Sequence, residues 1–225
     1  WPGGNVALRY THPQASSSQA AQGHLLADAL DLEALRDLSL RLPLPDELHQ
    51  RLQLHPVTGQ VRSLEMNWQG PWQEPTLYAV QAKVENLNLP TKIDESPNPS
   101  TSWPGLQGAQ VHLKMNQAGG QIQMNMGGNG AVTLPSILEE PLVQIDRLQA
   151  NARWQRKDDR WDVPQWSLQI KNPDLQGEWQ GQWQASADGT GPGVLHLQGQ
   201  INQVQAARVH RYLPTNLSAS VRQYV

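Results

Sequence analysis

With 225 residues the chain is long enough for one sizeable β domain or two small ones, either with a buried core. Seventeen basic and twenty acidic side chains leave a net charge of −3 without any Lys/Arg-rich run, which excludes the electrostatic footprint of nucleic-acid binding. The absence of cysteine removes disulfides, thiolate metal sites and a cysteine nucleophile together.

Trp1-Pro2-Gly3-Gly4 has neither the basic start nor the apolar stretch of a signal peptide, and no apolar run approaches the roughly 20 residues of a spanning helix. The chain reads as a piece of something longer. Val6, Leu8 and Tyr10 alternate with smaller or charged neighbours, and His12-Pro13 and a Ser/Gln/Ala-rich stretch to Gly23 break the pattern, so a strand remnant and a loop are expected. From Asp31, a good N-cap, Leu32, Leu35, Leu38 and Leu42 recur at helical spacing until Pro43. Pro45-Asp46-Glu47 starts a second helix, with Leu48 and Leu52 one turn apart, ending by His55-Pro56 ahead of a Thr58-Gly59 turn.

After Gly59 the period falls from about 3.6 to 2, the mark of antiparallel sheet. Leu64, Met66 and Trp68 share one face of the first strand; Tyr78, Val80, Ala82 and Val84 share one face of the next. Leu87 and Leu89 fall on the other parity, which predicts a bulge near Asn86. The Pro/Ser-rich stretch 94–104 is expected to be a loop. Val111, Leu113 and Met115 alternate before Gly119-Gly120, and Ile122, Met124 and Met126 after it, which predicts a hairpin with its tip at the two glycines. Val132 and Leu134 suggest a short strand. Leu142 to Gln155 is expected to pair with Trp161 to Lys171 across a tip at Asp158-Asp159. Leu175 to Ala185 is expected to pair with Val194 to Val204 across 188–193, placing Leu175, Trp179 and Trp183 against Leu195, Leu197 and Ile201. One longer repeat is visible: Arg41-Leu42-Pro43 with Leu48 and Leu52 is similar to Tyr212-Leu213-Pro214 with Leu217, Val221 and Val225.

No GxSxG, HExxH, P-loop, dinucleotide-binding or EF-hand pattern is present. Gly127-Gly128-Asn129-Gly130 lacks the Lys and Ser/Thr that hold phosphates and reads as a turn. His112 and His196 sit opposite the apolar parity and read as solvated, not as metal ligands. Asp158-Asp159 and Glu139-Glu140 read as turn and loop acids, not catalytic dyads. Nine tryptophans without a phenylalanine are expected in a core or an apolar lining, with glycan contact as the rival role. Three methionines in the 111–126 hairpin suit a surface that accepts variable apolar partners.

An ordered set of short motifs carries a resemblance. Leu30-Asp31-Leu32-Glu33-Ala34-Leu35, Leu42-Pro43-Leu44-Pro45, Gly59-Gln60-Val61, Asn67-Trp68-Gln69-Gly70 and Pro104-Gly105-Leu106-Gln107-Gly108 are followed by Leu138-Glu139-Glu140-Pro141, Leu148 with Trp154, and Val209-His210-Arg211-Tyr212-Leu213-Pro214. Together they resemble the YhdP-type proteins of Gram-negative bacteria, within the AsmA-like group, from about residue 5 onward. The resemblance implies a periplasmic protein tethered to the inner membrane by an N-terminal helix outside this chain. It also implies a sheet curled into an apolar trough along which phospholipid moves between inner and outer membrane. No catalytic residue, metal or cofactor comes with it.

The expected fold is mainly β: an elongated, curled antiparallel sheet of meandering hairpins with short N-terminal helices, one repeat unit of a larger protein. Residues 1–23 are assigned to the end of a preceding unit, 24–58 to a helical segment, 59–205 to the trough and 206–225 to the start of the next repeat. After Gly59 no amphipathic helix is long enough to cover the sheet, so a second sheet, the same sheet curled over, or a lipid must do so. Strand parity assigns Met66, Trp68, Val80, Val84, Leu113, Met115, Met124, Trp179, Trp183, Leu195 and Leu197 to the lipid-facing groove. The alternative from another class is a structural or carbohydrate-binding β-sandwich of an envelope protein; catalysis is not expected.

Overall fold

The computed structural model describes residues 4–11, 20–40, 56–71, 75–91, 104–135, 137–157, 160–186 and 193–212. Thirteen strands form one sheet with antiparallel pairings throughout. They are β1 (Val6–Thr11), β2 (Gln22–Ala27), β3 (Leu30–Asp31), β4 (Thr58–Gln69), β5 (Leu77–Leu89), β6 (Gly105–Asn116), β7 (Gly119–Met126), β8 (Gly130–Thr133), β9 (Leu142–Ile145), β10 (Arg147–Lys157), β11 (Arg160–Lys171), β12 (Leu175–Gln184) and β13 (Val194–Val204). The main path runs β1-β2-β4-β5-β6-β7-β10-β11-β12-β13; β3 pairs with β4, and β8 with β6 and β9. It does not close into a barrel, and the two-sheet sandwich is not the arrangement of these strands.

The helix α1 (Leu32–Ser39) begins where the sequence places it. Asp31 Oδ1 accepts from the backbone N–H groups of Glu33 and Ala34 at 2.9 and 3.0 Å, satisfying two of the free donors of the first turn. It packs beside β3 and β4, with Leu32 against the cluster of Ala27, Leu30 and Val61. The expected second helix, residues 45–55, lies outside the described residues. So do the 94–103 loop, the Asp158-Asp159 tip and most of the longer repeat. A 3-10 helix, Ala206–Tyr212, follows the last strand.

Four expectations are corrected. The segment read as a loop continuing into a helical unit contains β2, which joins β1 to β4, so β1 belongs to this sheet and is not a separate remnant. Gly59 lies within β4, not in a turn before it. The hairpin of β6 and β7 turns at Gln117-Ala118, and Gly119-Gly120 open β7. Asn116 sets that position: its Oδ1 accepts from the N–H of Ala118 at 2.8 Å and of Gly119 at 3.1 Å, while Gly119 supplies the φ of +154°. Finally, Leu142 to Gln155 is not one strand, since the chain bends at Asp146 and β9 leaves to pair with β8. The bulge at Asn86 is present, with φ +51° and a register shift between Val84 and Leu87.

The dry core lies at one end of the strands. Ala109, Val111, Met126, Leu138, Val143, Ile145 and Leu148 are buried together, with Leu87, Ile170 and Tyr212 packed against them. The opposite end, where β4 meets β5 and β6 meets β7, carries no such cluster among the described residues.

Candidate functional site

Directly opposed residues of antiparallel strands share a face, so the registers define rungs that cross the sheet. One rung is Leu8, Leu25, Met66, Val80, Met115, Gly120 and Trp154, and beyond a register shift in β11 it continues as Val163, Trp183 and Leu195. The next is Val6, Ala27, Leu64, Ala82, Leu113, Ile122, Ala152, Trp166, Gly181 and Leu197. A third is Leu30, Val61, Val84, Val111, Met124, Ala150, Leu168, Trp179 and Gly199. Every member is apolar or glycine. Ten strands at about 4.8 Å spacing make each full rung roughly 43 Å long.

All eleven predicted groove residues lie on this face, distributed over these rungs, with Trp68 on a further rung toward the open end. Met66, Val80, Val84, Leu113, Met115, Met124, Trp179 and Trp183 are half-buried, Trp68 is buried, and Leu195 and Leu197 are exposed on the edge strand. Parity reasoning omitted Leu8, Leu25, Ile122, Trp154 and Trp166. Leu25 belongs to the unread strand β2. In β11 the register shift between Val163 and Trp166, at Pro164, moves Trp166 into phase with Val163, which counting by two would place on opposite faces.

Several tryptophans lie across glycines of the neighbouring strand: a Cβ at Gly23 would collide with the Trp68 ring, at Gly120 with Trp154, at Gly181 with Trp166 and at Gly199 with Trp179. These rings lie down on the sheet instead of standing from it. The apolar face is thereby floored by flat aromatic surface.

The other face is polar. Ser63, Lys83, His112, Gln123, Asn151, Ser167, Gln180 and Gln198 form one of its rungs, and Gln182 and His196 pair in another, which puts His112 and His196 opposite the apolar side as expected. A depression of about 740 Å³ lies on this polar face. It runs between rungs walled by Lys83, His112, Lys114 and Gln121, with Leu64, Ala82 and Leu113 beneath. Its walls are side chains on a sheet, and it brings no catalytic set together. Among the described residues no group of three His, Asp or Glu side chains could hold a metal ion.

One polar cluster escaped the sequence reading. Asp174, its side chain 5% exposed, accepts from Arg208 Nη1 and Arg211 Nη1, both at 2.9 Å, and from the Tyr212 hydroxyl at 3.2 Å. Asn172 Nδ2 donates to the same hydroxyl at 2.9 Å, and Arg211 also pairs with Glu140 at 2.6 Å. Burial pushes the Tyr212 hydroxyl above its usual range, reinforced by the Asp174 carboxylate and opposed by the Asn172 hydrogen bond. The Arg211 guanidinium is raised chiefly by its hydrogen bond to Glu140. The cluster fastens the 3-10 helix to the turn between β11 and β12. Asp174 lies 34 to 38 residues from its three partners, and only the fold brings them together.

One open antiparallel sheet with a continuous apolar face and a polar back defines a β-groove protein of AsmA-like type. The profile of one protein family, described as YhdP protein, matches residues 1–225, and the chain belongs to that family. Comparison with curated proteins and with solved structures gives no match. Among the described residues no helix is long and apolar enough to cross a membrane.

Proposed function

We propose that this chain is a segment of a bridge-like carrier whose apolar face holds phospholipid acyl chains and lets them pass between the inner and outer membranes. The observation that carries the reading is the set of three consecutive rungs, apolar over nine or ten strands each, that lie beneath no second sheet among the described residues; α1 reaches them only at β3 and β4, and the packed cluster meets the third rung at Val111 and its neighbours. An uncovered apolar surface of that extent is a binding surface in a stable protein. Each acyl CH₂ withdrawn from water onto it contributes about 0.8 kcal/mol, and the contact is non-directional, so a chain slides from strand to strand without breaking specific bonds.

The half-buried methionines Met66, Met115 and Met124 suit chains of varying shape. Lipid is the sole cargo in this reading, with no cofactor and no catalytic step. The protein would work in the periplasm, its tether to the inner membrane lying outside this chain. Native mass spectrometry of the purified chain tests the proposal: glycerophospholipid masses retained in stoichiometric amounts are expected. A chain that emerges lipid-free from lipid-rich membranes, and takes up none from phosphatidylethanolamine vesicles, overturns it.

A further inference from the structure

Beyond the apolar rungs, at the open end of the strands, the same face carries a row of different character. Tyr10, Gly23, Trp68 and Tyr78 oppose one another across β1, β2, β4 and β5. On the far side of the β6–β7 turn the row resumes with Arg156 opposite Trp161. The turn ties the two parts: Tyr78 N–H donates to Gln117 Oε1 at 3.3 Å and Arg156 N–H to the Ala118 carbonyl at 2.7 Å. Each aromatic here has an apolar body and a polar tip, the residue type that settles where hydrocarbon meets a polar layer.

Within this row Trp68 stands out. It is 8% exposed, its ring lies over Gly23 and stacks with Tyr10 at a centroid distance of 6.2 Å, and its Nε1–H is buried without a hydrogen-bond partner. A buried N–H without an acceptor is costly and uncommon. The other end of the strands is closed by the packed cluster of Ala109, Met126 and Leu148. From the row of Trp68 to that cluster is about four rungs, roughly 27 Å along the strands, which exceeds the approximately 15 Å that one leaflet's acyl chains occupy in a bilayer.

We infer that this row is the headgroup rim of the groove: ester and phosphate oxygens of a glycerophospholipid sit along Tyr10, Trp68, Tyr78, Arg156 and Trp161, with Trp68 Nε1–H donating to one of them, while the acyl chains run down the strands toward the closed end. The inference rests on the lipid-carrying reading and adds an orientation to it. A lipid then travels along the rungs with its polar end on one side throughout, and never turns over.

Two measurements test it on the full chain. Glycerophospholipids bearing a diazirine on the headgroup or at the acyl terminus are delivered from phosphatidylethanolamine vesicles, and crosslinked residues are mapped. Headgroup label at Tyr78 and Trp161 with acyl label at Leu87, Leu168 or Ile170 is expected. Acyl label on the rungs with headgroup label at the closed end overturns the rim while leaving lipid carriage intact; no label on the apolar face overturns both.

The second measurement is Trp68→Phe, which removes the N–H and keeps an aromatic ring. The lipid-free variant is expected to unfold at a higher denaturant concentration, because an unpaired donor is gone, and to retain phospholipid roughly three- to tenfold more weakly, the worth of one ordinary hydrogen bond. Unchanged retention, or a loss of lipid-free stability, overturns the donor role.

Discussion

The indole of Trp154 lies across Gly120 on the neighbouring strand: a Cβ at residue 120 would stand 2.5 Å from Trp154 Cζ2, 2.7 Å from the Lys114 carbonyl oxygen and 2.8 Å from Met115 Cβ. The glycine is therefore occupied by its neighbour's side chain. Gly120→Val is expected to destabilise by about 1–3 kcal/mol through overpacking, and Trp154→Ala to cost stability by removing buried aromatic surface. Combined, the two should cost less than their sum, with a coupling of roughly 0.5–3 kcal/mol, since the valine fills space the indole has left. Urea denaturation of the four proteins reads the cycle, and strict additivity would show that ring and glycine do not share that space.

Asn86 holds the β4–β5–β6 register. Its φ of +51° allows the bulge that returns Leu87 to the apolar side opposite Ala109, and Asn88 braces it, Nδ2 donating to the Asn86 carbonyl at 3.0 Å and to Thr58 Oγ1 at 3.1 Å. Asn86→Gly should change stability by less than about 0.5 kcal/mol, while Asn86→Val, β-branched at a left-handed position, should cost roughly 1–3 kcal/mol. Thermal unfolding of the two variants distinguishes a required backbone conformation from a required side chain.

The cluster around Asp174 makes a prediction in pH. The folded-state value of Tyr212 lies above the ordinary 10.0, so the favourable burial of the neutral hydroxyl is fully present below about pH 10 and is lost as pH rises through the folded value. Stability should therefore fall more steeply above pH 10 in the native chain than in Tyr212→Phe, as read by denaturant melts alongside tyrosinate absorbance. Asp174→Ala removes the acceptor shared by Arg208, Arg211 and the Tyr212 hydroxyl, leaving Arg211 its pair with Glu140 and the hydroxyl its bond from Asn172; with Arg208 half in water, a loss of about 1–3 kcal/mol is expected. If the 3-10 helix were held by Tyr212 packing alone, Asp174→Ala would leave its hydrogen-exchange protection unchanged.

What the sequence disclosed follows from the range of the forces involved. Alternation is local, so the shared face of Val111, Leu113 and Met115 with Ile122 and Met124 was legible from spacing, as was the shared face of all eleven groove positions, but the register that sets Met115 opposite Gly120 was not. Gly119-Gly120 misled because glycine pairs usually announce a tip, whereas here one supplies an unusual φ and the other makes room for a ring arriving from β10. β2 was missed because Leu25 and Leu26 are adjacent and cannot both obey a period of two; only pairing with Met66 and Glu65 decides which faces the groove. The Asp174 cluster spans more than thirty residues and left no local signal.

Leu195 offers the sharpest test of the apolar track. It ends a rung on the edge strand, opposite Trp183, and is 56% exposed, so Leu195→Asp places a charge on the track without burying it in a packed core. Stability should change by less than about 1 kcal/mol, as for most exposed positions. Leu113→Asp puts the same charge in the middle of the neighbouring rung, between Ala82 and Ile122, where an unpaired carboxylate costs several kcal/mol once acyl chains exclude water. Both variants should lose retained phospholipid, and in the full-length protein both should impair lipid supply to the outer membrane. His112→Gln and His196→Gln, one residue away on the polar face, should leave it unchanged. Because Leu195→Asp is expected to stay folded, its result is readable even where Leu113→Asp unfolds: a folded Leu195→Asp chain that holds and delivers lipid normally would remove that rung from the path.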